Sequence, residues 1–137
     1  MLRYMLDTDT CIYAIKNRPE QLRETFNAHG EHLCVSSVTL AELLFGAEKS
    51  ARQEHNLSIV ESFAARLAVL PFAEKAAAHY GQIRADLERR GEPIGPYALM
   101  IAGHARGEGL VLVTNNTREF ERVDGLRLEN WVRSPTK

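Results

Sequence analysis

Short apolar runs alternate along this chain with longer stretches of helical periodicity, and that alternation restricts the fold more than any other feature. Residues 3–6, 33–36, 67–71, 110–114 and 126–131 read as short strands. Between them lie helical stripes. Leu40, Leu43, Leu44 and Ala47 recur at i, i+3, i+4 and i+7. Leu57, Val60, Phe63, Ala64 and Leu67 repeat the pattern, and Ala76, Tyr80, Ile83 and Leu87 do so again until Arg89-Arg90-Gly91 ends the helix. Shorter helices are predicted over 10–16, after Pro19 with Leu22 and Phe26 four apart, from Pro96 to about Arg106, and from Asn116. Strands separated by helices pair in parallel, and a parallel sheet needs helices over both faces. The expected fold is therefore a three-layer α/β/α sandwich with a mainly parallel central sheet, with residues 1–137 as one domain.

A chain of 137 residues that is 45% hydrophobic can bury a core without disulfides or a structural metal. Cys11 and Cys34 both sit among apolar neighbours and read as buried free thiols. The opening Met-Leu-Arg-Tyr-Met-Leu-Asp reaches an acidic residue too early for a signal peptide, and no apolar run approaches the roughly 20 residues of a membrane span. A cytoplasmic protein without a membrane partner is expected. The net charge of -1 neither demands nor excludes a nucleic-acid partner, since a basic rim can surround an acidic pocket.

Carboxylates fall where such a sheet builds sites, beyond the carboxyl ends of its strands. Asp7 and Asp9 follow the first strand, Glu42 lies early in the helix after the second, and Asn116 and Glu119 follow the strand over 110–114. Clustered carboxylates repel one another unless a cation neutralises them, and all-oxygen ligands suit magnesium or manganese. Each residue also has a plainer role. Asp7 or Asp9 can cap the following helix. Thr39 with Glu42, and Asn116 with Glu119, fit capping boxes.

The order of the motifs adds a further signal. Met5-Leu6-Asp7-Thr8-Asp9, then Ser36-Ser37 through Glu42-Leu43-Leu44-Phe45-Gly46, then Gly95-Pro96-Tyr97 with Met100-Ile101-Ala102, then Val113-Thr114-Asn115-Asn116 with Glu119-Phe120 resemble the four motifs of PIN-domain ribonucleases, specifically the VapC-type toxins of toxin–antitoxin pairs. The resemblance implies that Asp7, Glu42 and Glu119 bind Mg2+ or Mn2+, with Thr8, Asp9, Thr114 and Asn116 as supporting polar neighbours. It also implies an aspartate at position 98, where this chain has Ala98. A methyl group neither binds metal nor accepts a proton, so the chain as it stands is expected to be catalytically impaired. Because the rest of the set is intact, a deliberate exchange accounts for Ala98 better than natural decay.

Further implications of the resemblance are a VapB-type antitoxin, a toxin homodimer within the toxin–antitoxin complex, operator DNA bound only through the antitoxin, and an RNA substrate. The sequence character is similar to that of toxins that cut initiator tRNA in the anticodon region and so inhibit translation. Two other readings compete: a non-catalytic module binding RNA or peptide on the same fold, and a receiver-like or phosphatase-like domain. A receiver would carry a lysine near the last strand's end, where this chain has Asn115 and Asn116.

The remaining features read as structural first. None of the five histidines has a zinc-like spacing, and His104 is expected to pack inside. Arg84, Arg89, Arg90, Arg106, Arg118, Arg122, Arg127 and Arg133 form either a solvated surface or a phosphate-contacting rim. Tyr97 reads as core, with base stacking as the alternative.

Overall fold

The structure is a computed structural model that describes residues 1–17 and 20–132. Five strands, β1 (Tyr4–Leu6), β2 (Leu33–Ser36), β3 (Ala68–Leu70), β4 (Val111–Val113) and β5 (Leu128–Glu129), form one sheet in the order β3-β2-β1-β4-β5. Every pairing is parallel. The crossovers are α1 (Thr8–Asn17) and α2 (Glu20–Ala28), then α3 (Ser37–Glu48) and α4 (Gln53–Ala64), then α5 (Glu74–Arg89) and α6 (Pro96–Gly107), and lastly the short α7 (Thr117–Phe120). Pro19, expected to open the second helix, lies outside the described residues, as does Arg133.

Period-two alternation sorts the strand side chains onto two faces. Tyr4, Leu6, Leu33, Val35 and Val113 join Cys11, Leu43, Ala47 and Val60 in one core, beneath α1, α3 and α4. Met5, Cys34 and Leu112 point the other way and pack with Ile83, Leu87, Leu99, Ile101, Ala102 and Ala105 of α5 and α6. Both faces are apolar, which is why the inner strands read as unbroken hydrophobic runs. Cys11 and Cys34 are buried and free, as expected.

Position in the sheet decides where a ligand can bind. From β1 the chain builds outward through β2 to β3, then crosses to the far side of β1 for β4 and β5. The direction of winding reverses between β1 and β4, and a crevice opens beyond the carboxyl ends of strands at such a reversal. Asp7 follows β1 directly, and Thr114 follows β4.

Two contacts fix α6 on the sheet. A Cβ at Gly103 would stand 2.7 Å from the Tyr80 backbone nitrogen and 2.9 Å from its Cα, so glycine lets α5 and α6 approach backbone to backbone. His104 is 1% exposed and its Nδ1 stands 2.8 Å from Ser36 Oγ. That oxygen also accepts the Val38 N–H at 3.0 Å, so Ser36 ties the start of α3 to α6, and the buried imidazole is favoured in its neutral form. Burial lowers the His104 pKa, in keeping with this state. The packing role expected of His104 is what the structure has.

The arginines divide. Arg106 Nη1 donates to the Asp124 carbonyl at 2.9 Å, Arg122 Nη1 to the Pro93 carbonyl at 3.0 Å and Arg127 Nη2 to the Gly109 carbonyl at 2.6 Å. Arg84 pairs with Glu88, and Arg90 with Asp86 and Glu92. Arg106, Arg122 and Arg127 staple loops and helix ends, while Arg84 and Arg90 form exposed pairs on or beside α5. The final strand is also shorter than expected. Pairing ends where the Thr114 N–H reaches the Glu129 carbonyl at 2.9 Å, and Trp131 leaves the ladder to meet the edge of Tyr4, ring centroids 5.0 Å apart.

Candidate active site

Asp7 is the first residue beyond β1, where the chain turns into α1. Its Oδ1 accepts the Thr10 N–H at 2.8 Å, satisfying one of the free donors at the helix start. The capping role and the site role thus fall on one side chain. Asp7 is only 3% exposed. Desolvation raises its pKa, against the opposing bonds from Thr114 and Thr10, and the neighbouring Asp9 charge adds to the rise. Asp9 itself is exposed.

Glu42 stands on α3, and the capping box expected with Thr39 does not form. Ser36 caps this helix instead, through the Val38 N–H, because the chain turns directly out of β2. Thr39 is wholly buried one turn further in. Glu42 is thereby free to face α1, where the Thr8 hydroxyl donates to its Oε1 at 2.6 Å. Thr8 Oγ1 also lies 3.2 Å from the Thr39 hydroxyl. Sequence reasoning passes over Thr10 and gives Thr39 only a capping role; a threonine inside an otherwise apolar helix stripe was the available signal for its burial.

Glu119 comes from α7. Asn116 occupies the cap position of this helix but makes no side-chain cap bond. Its Nδ2 donates to Glu119 Oε1 at 3.1 Å, while its backbone N–H donates to Thr114 Oγ1 at 2.9 Å. The Thr114 side chain also favours the Asp7 charge, so one buried hydroxyl acts on the first carboxylate and on the loop that holds the third.

These groups share one cavity of about 810 Å³, lined by Asp7, Thr8, Asp9, Glu42, Ala98, Asn116 and Glu119. Thr114 lies behind it, fully buried. The cavity also has an apolar lining from Ile12, Ile15, Leu43, Phe45, Ile59 and Val60. Ala98 sits half-buried in the first turn of α6, held there by Pro96 at the helix start. Tyr97 is not core as expected: it is 56% exposed at the cavity wall, and Leu99 takes the inward position.

The donors are all carboxylate, amide or hydroxyl oxygens, the set that suits a hard divalent cation. Among the described residues, no lysine or arginine pairs with Asp7, Glu42 or Glu119. Among the described residues no three His, Cys, Asp or Glu side chains stand close enough to make a closed metal cage. Asp7, Glu42 and Glu119 line one cavity together with Ala98, but among the described residues they do not stand together as a group of three.

Fold and cavity together define a parallel α/β domain with an acidic site at its topological reversal. Residues 4–126 match the PIN domain family. The "tRNA(fMet)-specific endonuclease VapC" of Salmonella typhimurium is 59% identical over 131 residues, 96% of this chain and 99% of that protein. The protein of the same name from Shigella flexneri is 58% identical over 131 residues, again 96% and 99% of the two chains. Among solved structures, the DNA-bound VapBC from Salmonella typhimurium superposes with a TM-score of 0.95 at 58% identity, over 96% of this chain and 100% of that one. The chain belongs to the PIN-domain family, within its VapC ribonuclease branch. Among the described residues no helix is long and apolar enough to cross a membrane.

A buried carboxylate without a cationic partner opposes folding once it ionises. Asp7→Asn keeps an acceptor for the Thr10 N–H and removes the charge. In metal-free buffer at pH 7 this variant is expected to melt several degrees above the parent. Because the folded pKa of Asp7 is raised, its stabilising neutral form is complete below the usual carboxylate range and lost as the pH rises through the folded pKa. The gain from Asp7→Asn is therefore largest at neutral pH and fades under acid. Thermal melts of both proteins across that range check it, and equal midpoints at pH 7 would contradict it.

Proposed function

We propose that this chain is the toxin half of a toxin–antitoxin pair, a divalent-metal-dependent endoribonuclease whose present form is impaired by Ala98. The observation that carries the reading is the gathering of Asp7, Glu42 and Glu119 on one cavity at the sheet's reversal, with position 98 on the same wall. Support for the substrate comes from the Salmonella and Shigella relatives, named as tRNA(fMet)-specific endonucleases. Initiator tRNA, cut in the anticodon region to stop translation, is accordingly the proposed target, and the cytoplasm the proposed place of action.

Asp7, Glu42 and Glu119 would hold Mg2+ or Mn2+, which supplies an activated water and neutralises charge developing on the phosphodiester. Each protein group has its own task. Thr8 orients Glu42, Asn116 orients Glu119, and Thr114 with the Thr10 N–H orients Asp7. Burial of Asp7 limits the water that competes for its oxygens. The products carry 5′-phosphate and 3′-hydroxyl ends. At position 98 a carboxylate would complete the ring; the Ala98 methyl leaves that place to loosely held water.

A VapB-type antitoxin is the proposed partner, with toxin homodimers in the complex and operator DNA reached through the antitoxin alone. The Salmonella structure, a DNA-bound VapBC, is of that kind. In this chain Phe45 is 64% exposed beside half-buried Leu40 and Leu44, an apolar strip on α3 that solvent does not favour. Phe45→Asp should weaken antitoxin binding or toxin dimerisation by about tenfold or more, as expected for a buried aromatic anchor. Unchanged complex mass and unchanged antitoxin affinity would remove α3 from the interface.

The nuclease reading is tested by restoring the carboxylate. Ala98→Asp is expected to raise magnesium-dependent cleavage of initiator tRNA by roughly 10² or more, the usual worth of a positioned acid–base group. Growth arrest should return with it. The fold should persist in both forms, since alanine suits a helix and position 98 is only partly buried at the core's margin, beside the cavity. A restored protein as inert as the parent would favour the non-catalytic RNA- or peptide-binding module, for which Ala98 itself is the supporting observation.

A further inference from the structure

Tyr97 is an exposed aromatic ring at the cavity wall, one residue from position 98. It is not needed by the core, because Leu99 fills the buried position of the same helical turn at 5% exposure. Its hydroxyl makes no hydrogen bond among the described residues, and no charged group sits over its ring among them. Pro96 fixes the backbone immediately before it, so the ring stands on a rigid helix start and not on a loop. A folded chain gains nothing internally from this placement. An exposed ring beside an acidic site offers a flat apolar face where a phosphodiester would be held, and an unstacked nucleobase is the ligand that matches both.

We propose that Tyr97 is a substrate-binding residue that stacks on the nucleobase flanking the cut bond, fixing which nucleotide enters the site. This rests on the ribonuclease reading above. The face of the ring carries the interaction and the hydroxyl does not, so phenylalanine suffices and an aliphatic residue of similar bulk does not. The base must leave its neighbours in the RNA loop to reach Tyr97, which favours single-stranded loops over duplex. Phe45, the other exposed aromatic on the cavity, is placed differently: Lys49 Nζ stands 5.0 Å from its ring centroid, so that face is already occupied.

The chain with Ala98 serves the test well, because binding can be read without cleavage. The probe is a stem-loop RNA with the anticodon-arm sequence of initiator tRNA, alongside versions with a single abasic nucleotide moved through the loop. Tyr97→Phe should bind the intact loop within about twofold of the parent. Tyr97→Leu should bind it about tenfold more weakly, the scale of one lost base stack. At one loop position, removing the base should weaken the parent by a similar factor and leave Tyr97→Leu unaffected. A fluorescent base analogue at that position should be quenched by the parent and not by Tyr97→Leu. If Tyr97→Leu binds as tightly as the parent, or if its loss is the same for every abasic RNA, the stacking assignment is overturned while the nuclease reading stands. Retained RNA binding with lost antitoxin binding would assign Tyr97 to the protein partner instead. No binding of any loop by the parent, joined to no cleavage by Ala98→Asp, would overturn both readings.

Discussion

A carboxylate held out of water governs much of this architecture. Asp7 is nearly inaccessible, and desolvation raises its pKa although Thr114 and the Thr10 N–H both stabilise the charge. A protein without need of that charge would be more stable with a neutral residue there. The parallel sheet explains how it is tolerated. β1 is central, so the residue after it emerges at the sheet's reversal, where free helix N–H groups and the end of β4 supply donors. The same position that dehydrates Asp7 also places it on the cavity.

Around Asp7 the site is tied together by small hydroxyls. Thr8 links α1 to Glu42 on α3, and Thr114 links Asp7 to Asn116 and onward to Glu119. Carboxylates from three separate crossovers are thus oriented by bonds that hold in the absence of a cation. The α6 side is fixed by other means, the glycine contact at Tyr80 and the buried His104–Ser36 bond. Residue 98 rides on that rigid helix. Exchanging its side chain alters the chemistry of the cavity and leaves its frame in place.

Much of this was legible in the residues. Helix stripes and short apolar runs located the elements to within a few residues, since burial on both sheet faces leaves a continuous hydrophobic signal. Ordered motifs placed Asp7, Glu42 and Glu119, and the structure sets all three on one cavity. What the residues concealed were choices made between elements. Thr39 looked like a cap, but the turn directly out of β2 makes Ser36 the cap. Arg106, Arg122 and Arg127 read as solvated surface or as a basic rim, and the structure shows them donating to carbonyls far away in sequence. Tyr97 looked like core because its hydrophobic neighbours are core; only the helix's orientation on the sheet turns it outward.

The proposed divalent-ion site draws on Asp7, Glu42 and Glu119 and is completed by a carboxylate at position 98. Anomalous scattering from crystals of the Ala98→Asp protein soaked in manganese tests it most directly. The account predicts a manganese peak in the cavity, about 2 Å from carboxylate oxygens of Asp7 and at least one of Glu42 and Glu119, with Ala98 crystals showing a weaker peak at the same manganese concentration. A cavity without manganese in the Ala98→Asp crystals, or an ion bound away from Asp7, would contradict it.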